Sequence, residues 1–340
     1  TNMTRLILDV DTGIDDALTL AYLATFDTVD VLGVIGTYGN VSVDTAVRNT
    51  SYVLERLGFR HIPVIRGSSH PSWARCFIPD AGCAQFHGTD GLGGFGPARD
   101  SSSSNTAFPD NFLDNSGSDT VFSRNYRSLI SVGGYDVHDP HANPAADSFS
   151  LSFTACDAGG DNDCEDRSHS PVALPDGVRF LIDAVRFYGS DVTVVATGPL
   201  TDVDAALAAA PDITSRLRLV MMGGTLTQEG NCWDATAETN IIQDPEAADR
   251  VFHSGADVTM VGLDVTHQCL LGSDATVQWR QAASQSQDGD VRTFLADIAD
   301  FSIAANFAAD PRLFAAGMPL HDPLAAAVAV DPSLVECFDL

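Results

Sequence analysis

Residues Leu6 to Ala17 read L-I-L-D-V-D-T-G-I-D-D-A, and the rest of the chain is best understood outward from them. The apolar run Leu6-Ile7-Leu8 has the character of a buried strand. Thr12-Gly13 makes a tight turn, and Ala17, Leu18, Leu20 and Ala21 then resume at helical spacing. Asp9, Asp11, Asp15 and Asp16 all fall in this stretch, which contains no lysine or arginine. Carboxylates gathered so closely repel one another, so a fold that keeps them together needs positive charge. A hard cation with oxygen ligands meets that need. The blander alternative is a solvated loop whose acids suit the N-terminal end of a helix dipole.

Further along, Val29 to Gly36 reads as a second buried strand ending in Thr37-Tyr38-Gly39-Asn40. Ser42 to Leu57 follows as an amphipathic helix, and Pro63-Val64-Ile65 as a short strand. After Asp176 the alternation returns. A helix spans Gly177 to Tyr188, a strand Val192 to Ala196, and Thr197-Gly198-Pro199-Leu200-Thr201 leads into another helix. Arg218 to Met222 and Val258 to Gly262 are further strands. Asp244-Pro245-Glu246 caps a helix to His253, a helix covers about 289 to 307, and Leu320-His321-Asp322-Pro323 opens an alanine-rich last helix. Strands alternating with helices predict an α/β domain with a mostly parallel central sheet flanked by helices. Ligands of such sheets gather at the carboxyl ends of the strands, where Asp11, Asp16 and Asn40 lie. Between Arg66 and Pro175 the pattern fades into Gly-, Ser-, Asp- and Pro-rich sequence, with His87 in a glycine-rich loop, H-G-T-D-G-L-G. The Asp-rich run from 157 to 166 lacks the glutamate and spacing of an EF-hand and reads as a solvated loop.

The 340 residues carry 46 acidic side chains against 18 basic ones, a formal net charge of −28, and every basic residue is arginine. That balance excludes nucleic acid and anionic membranes as partners, since both need clustered basic residues. It suits a soluble, self-repelling surface and is compatible with a salt-rich medium. No apolar run is long enough to span a bilayer and no secretory leader is visible, which suggests a cytoplasmic protein, a mature secreted or vacuolar form being the alternative. Seven cysteines include no C-x-x-C pair, so a zinc site is not expected. Cys76 with Cys83 and Cys156 with Cys164 have spacings that permit disulfides; reduced cysteines are the preferred reading.

Eight short motifs in order resemble the calcium-dependent nucleoside hydrolases of the inosine/uridine-preferring type. They are D-V-D-T-G-I-D-D-A, T-Y-G-N, H-G-T-D-G-L-G, T-G-P-L-T, M-G-G, A-E-T-N-I-I-Q-D-P-E-A-A, L-D-V-T-H-Q and L-H-D-P. The resemblance implies a single domain of the open, Rossmann-like nucleoside hydrolase fold, with an insertion at about 98–172. It implies hydrolysis of the N-glycosidic bond of ribonucleosides to ribose and free base by a calcium-activated water. Asp11, Asp16, the carbonyl of Thr197 and Asp322 would ligate Ca2+, and Asp11 would also act as the base. Asp15, Asn40, Met222, Asn231, Glu238, Asn240 and Asp322 would bind substrate, while His321 and His87 would serve the departing base. His267 would be supporting structure or a pocket wall. Homo-oligomers, dimers or tetramers, are likewise implied.

Three features depart from the family pattern. Thr12 stands where many members have proline, Thr239 where an aromatic is common, and the 98–172 region is long. Trp73, Phe77, Phe86, Tyr126 and Tyr135 in or near that region are candidates for a lid, a surface elaboration or an oligomer contact; Trp233 is a candidate base stacker or a loop-packing residue. Two rival readings stand beside the hydrolase. One is a D-x-D phosphatase, which would want a lysine that the chain lacks. The other is a non-catalytic, calcium-stabilised ribose-binding protein.

Overall fold

The computed structural model describes residues 3–97, 173–285 and 289–339. Six strands form one all-parallel sheet: β1 (Thr4–Val10), β2 (Val29–Gly36), β3 (Val64–Arg66), β4 (Val192–Ala196), β5 (Arg218–Met222) and β6 (Asp257–Val261), in the order β3-β2-β1-β4-β5-β6. The expected α/β class and parallel sheet are therefore present. The order reverses between β1 and β4, so the loops after these two strands diverge to opposite sides and leave a crevice at their carboxyl ends. Leu6 pairs with Val31 and Ile7 with Gly33, which makes Leu32 the extra residue of a bulge in β2.

Strands buried on both faces read as continuous apolar runs rather than alternating ones. On one face Ile7, Ile35, Val194 and Met221 pack with α4 (Asp176–Tyr188) and α5 (Thr201–Ala209). On the other, Leu6, Leu8, Val34 and Val195 pack with α1 (Ile14–Leu23), α2 (Val43–Arg56), α10 (Gly289–Ala309) and α11 (His321–Val330). Between these helices in the chain come α3 (Ala81–His87), α6 (Thr239–Gln243), α7 (Pro245–Phe252), α8 (Leu263–Thr266) and α9 (Ser273–Ala283). A small antiparallel pair, β7 (Leu270–Leu271) and β8 (Met318–Pro319), brings the segment after α8 beside the start of α11.

The structure adds regular elements where sequence periodicity gave none. His87 is the last residue of α3, not a loop residue, and Asp80 starts that helix by accepting from Gly82 N. Helix α9 is amphipathic but short of buried positions, which hides its period. Cys76 and Cys83 are free thiols, one exposed and one buried, in line with the reduced reading. Cys156, Cys164, Tyr126, Tyr135, the Asp-rich run and the expected 98–172 insertion lie outside the described residues.

A buried carboxylate ties the rim together. Asp244, fully buried, accepts from Ser72 N (2.7 Å), Ser72 Oγ (2.7 Å), Thr201 Oγ1 (2.7 Å) and Ala247 N (3.1 Å), and Tyr38 Oη bonds Thr201 Oγ1 at 2.7 Å. Replacing Asp244 by alanine strands two backbone N–H groups in the interior, at a cost of roughly 1–3 kcal/mol each. Urea unfolding should show Asp244→Ala destabilised by about 3 kcal/mol; a loss well below 1 kcal/mol would mean water replaces the carboxylate.

Candidate active site

The carboxyl end of β1 delivers Asp11, and the turn into α1 delivers Asp15 and Asp16 in the first helical turn. Asp11 is clamped by one residue: Asn40 N donates to its Oδ2 at 2.7 Å and Asn40 Nδ2 to its Oδ1 at 3.0 Å. The clamp needs the backbone of the preceding residue close by, since a Cβ on Gly39 would lie 2.0 Å from Asp11 Oδ2. Asp16 accepts from Gly13 N (2.8 Å) and from Thr197 Oγ1 (2.6 Å), which joins the β1 turn to the end of β4. Asp322 arrives in the first turn of α11.

Ligand oxygens of Asp15, Asp16 and Asp322 all lie within 4.8 Å of one another, and all three residues are buried. Asp15 Oδ1 and Asp322 Oδ2 are buried without a hydrogen-bond partner among the described residues. Burial pushes the Asp11 and Asp322 carboxyls well above their ordinary range, with the neighbouring carboxylates adding to it. Burial and then the charge of Asp15 raise Asp16 to about 6. A cluster of orphaned, mutually repelling oxygens is the surrounding that a hard cation satisfies, so the donor set fits a metal ion. Of the expected ligands, Asp16 and Asp322 fall in this cluster, joined by Asp15, which was expected on the substrate side. Asp11 is not one of the three, and both its oxygens are bonded by Asn40.

Asn240, buried at the start of α6, donates from Nδ2 to the carbonyl of Thr197 (2.9 Å) and to that of Met222 (3.1 Å). Met222 is itself buried at the end of β5. Glu238 spends its carboxylate on the backbone: Oε1 accepts from Asn240 N, and Oε2 from Gly224 N and Ile241 N. Burial lifts it to about 6 against those stabilising N–H groups. Asn231 is exposed, and its Oδ1 tethers Thr239 through N (2.9 Å) and Oγ1 (3.0 Å). Trp233 is 88% exposed, so it does not pack its loop.

Both expected histidines border the acids. Ile14 N donates to His87 Nδ1 at 3.1 Å, and that nitrogen lies 3.7 Å from Asp15 Oδ1. A Cβ on Gly13 would meet the same imidazole at 2.5 Å, so glycine is required here for close approach. His321 Nδ1 bonds Thr266 Oγ1 at 2.7 Å. Burial holds His87 down at about 4 and His321 at about 3, the latter further lowered by His267 and His87. His267 stacks obliquely at 5.6 Å from His321 and bonds Gln228 Nε2 at 2.8 Å, a pocket-wall arrangement.

Reading the sequence left two participants without a role. Asp9 is buried inside β1, where burial and then the charge of Asp202 push its carboxyl well above the ordinary range. Asp202 accepts from Ser68 N (2.8 Å) and Ser68 Oγ (2.6 Å). The signal was an aspartate inside an apolar run, L-I-L-D. Thr266 is the second, in L-D-V-T-H-Q, where the adjacent histidine drew the attention.

The family model for inosine-uridine preferring nucleoside hydrolase matches residues 6–340. The chain belongs to that family. This nucleoside hydrolase therefore acts on the N-glycosidic bond of ribonucleosides, and the phosphatase reading falls away. It is 28% identical over 334 residues to the probable uridine nucleosidase 2 of Arabidopsis thaliana, across 97% of this chain and 78% of that protein. It is 29% identical over 333 residues to the pyrimidine-specific ribonucleoside hydrolase RihA of Shewanella woodyi, across 98% and 81%. Its structure is similar to that of a purine-preferring ribonucleoside hydrolase from Gardnerella vaginalis, with TM-score 0.69 and 35% identity over 98% of this chain and 82% of that one. A plant nucleoside hydrolase, PpNRh1, matches with TM-score 0.68 and 26% identity over 98% and 80%. Among the described residues no helix is long and apolar enough to cross a membrane.

Raised carboxyl pKa values carry a stability consequence of definite sign. In the cation-free protein each of these carboxyls holds, when folded, a proton that the unfolded chain has released, and its contribution to stability falls as pH rises from about 4 through about 6. His87 and His321, kept neutral by burial, act in the opposite direction up to about 6.5. A divalent cation would remove the penalty at the clustered carboxyls and leave the histidine contribution unchanged. At fixed ionic strength a divalent cation should therefore raise the melting temperature more at pH 7.5 than at pH 5. Identical melting with cation and with chelator at pH 7.5 would remove the metal site.

Proposed function

We propose that this hydrolase uses Ca2+, held by Asp11, Asp15, Asp16, Asp322 and the carbonyl of Thr197, to release ribose from a ribonucleoside. The observation that carries the proposal is the pair of buried, partnerless oxygens, Asp15 Oδ1 and Asp322 Oδ2, facing Asp16 at the strand ends. All donors are oxygens, with no thiolate in the set, which favours calcium over zinc. The Thr197 carbonyl already accepts from Asn240, but a carbonyl has a second lone pair to offer. When bound, the cation supplies a centre that makes water more acidic and holds vicinal sugar hydroxyls.

The chain's own groups do the rest. Asp11, oriented through both oxygens by Asn40, takes a proton from the water that attacks the anomeric carbon. As the C1′–N bond breaks, positive charge grows on the sugar, and the surrounding carboxylates stabilise it. The electron pair leaves with the base, which receives a hydrogen bond from His321 or His87 and takes up its proton from solvent. Asn240 and Met222 line the sugar side. Glu238, whose oxygens bond backbone N–H groups, acts by fixing the start of α6 and thus Asn240; Asn231 acts through Thr239 in the same way. Self-association into dimers or tetramers belongs to the same proposal.

Ribose release from inosine, adenosine, guanosine, uridine and cytidine, with calcium or with chelator, tests this and ranks the bases. Chelation should abolish release and calcium restore it. Asp11→Asn should lower kcat by about 10²–10⁴-fold, the span expected for a lost proton acceptor. His321→Ala should impair natural nucleosides far more than p-nitrophenyl riboside, whose leaving group needs no proton. Chelator-resistant turnover would defeat the calcium assignment, and equal losses on both substrate types would defeat the role of His321.

A further inference from the structure

The Thr266 hydroxyl is fully buried, and its hydrogen bond is to His321 Nδ1 at 2.7 Å. Thr266 ends α8, where a threonine hydroxyl commonly bonds the carbonyl one turn back. Here the carbonyl of Gly262 is taken by the Thr266 N–H, and the side chain turns to the imidazole instead. Two proton arrangements are possible for the pair. If Nδ1 carried the proton, the Thr266 O–H would be buried with no acceptor. If the hydroxyl donates to Nδ1, both groups are satisfied.

We infer that Thr266 is a positioning residue for base departure, whose hydroxyl donates to His321 Nδ1 and so locks the imidazole in the tautomer with its proton on Nε2. The inference rests on the reading of His321 as the group that serves the leaving base. Nε2 makes no hydrogen bond to a described residue, and the ring is only half-buried. It is therefore the nitrogen free to meet a ligand, and in this tautomer it meets one as a donor. The other imidazole of the site is set the same way by different means. His87 Nδ1 accepts from a backbone N–H, that of Ile14, so its proton too belongs on Nε2. Two Nε2–H donors suit a base that leaves with negative charge on a carbonyl oxygen or ring nitrogen. An unlocked His321 would spend part of its time presenting a lone pair, which repels such a base.

The geometry of the pair is itself set by backbone. Leu320 N donates to the carbonyl of Cys269 at 2.8 Å, and Leu270 pairs with Pro319, so the chain three and four residues after Thr266 is joined to the two residues before His321. A substitution that keeps the β-branched shape should leave that joint intact.

Thr266→Val removes the hydroxyl and keeps the shape; Thr266→Ser keeps the hydroxyl. For the best natural nucleoside, Thr266→Val should lower kcat by about 10-fold or more, part of the ~10²–10³-fold that one donor aimed at developing charge supplies. KM and p-nitrophenyl riboside turnover should change less than about twofold, and Thr266→Ser should restore natural turnover. Long-range 1H–15N correlation spectra of the wild-type protein, independent of activity, should show His321 with its proton on Nε2. A proton on Nδ1 in that spectrum overturns the inference, whatever the variants do. So does Thr266→Val with wild-type nucleoside turnover, or with equal losses on both substrates. Running His321→Ala alongside separates the two ideas: a normal nucleoside loss there, with Thr266→Val unaffected, fails Thr266 alone, whereas equal losses on both substrates in His321→Ala fail the leaving-group reading beneath it.

Discussion

Everything at the rim of this sheet follows from carboxylates that the chain forces together and does not neutralise. Asp15, Asp16 and Asp322 converge from two helix starts, Asp11 stands beside them, and among the described residues no arginine is paired with any of the four. An exposed acidic cluster would be solvated and inert. This one is buried, and desolvation is the leading cause of every raised pKa in it. The protein holds that unfavourable arrangement with the strand ends, the Asn40 clamp and the Gly13 and Thr197 bonds to Asp16, none of which lowers the net charge. Strain of this kind persists only where the surroundings over-determine it, and it is relieved when a cation arrives.

The topology explains why the cluster can form at all. Neighbouring parallel strands β1 and β4 run their carboxyl ends side by side, with Asp9 paired to Ala196. Asp11, two residues beyond Asp9, and Thr197, one beyond Ala196, then lie at the crevice left by the reversal of strand order. Asn240 reaches the same point from beyond β5 and bonds the Thr197 carbonyl. Asp322 is brought in by the last helix, which packs against α1 on the face of the sheet that carries Leu6 and Leu8. The site is thus assembled from loops after several strands, each fixed by the apolar face beneath it.

That sheet was legible in the sequence because parallel strands bury both faces and show as apolar runs, and the runs end in the motifs. Asp11, Asp16, Asn40, Asp322 and His321 were legible for the same reason, each standing near a strand end or at a helix start; His87, which ends α3, stood out only as a histidine beside glycines. The contacts among them were not. Periodicity says nothing about Asn40 clamping Asp11 across the sheet, or about Glu238 turning its carboxylate to the backbone of α6, because both depend on tertiary placement. Asp9 was hidden by its neighbours; a carboxyl inside L-I-L-D looks like a strand end until Asp202, far along the chain, is found beside it. Helices α3 and α9 escaped because few of their residues are buried, and a helix with little apolar stripe leaves little period to read.

In the proposed reaction the same burial would serve the other half through the two imidazoles. Next to so many carboxylates a histidine would be expected to hold a second proton, yet at His87 burial outweighs the attraction of Asp16, and at His321 burial is reinforced by His267 and His87. A neutral ring is what the chemistry favours. Positive charge develops on the sugar as the base departs, and an imidazolium a few ångströms away would raise that state by Coulomb repulsion in a poorly screened site. A neutral N–H donor stabilises negative charge on the departing base without adding positive charge near the sugar. The acids and the histidines are therefore complementary products of one choice, a dry crevice: it leaves the carboxylates short of a cation and leaves the imidazoles as donors.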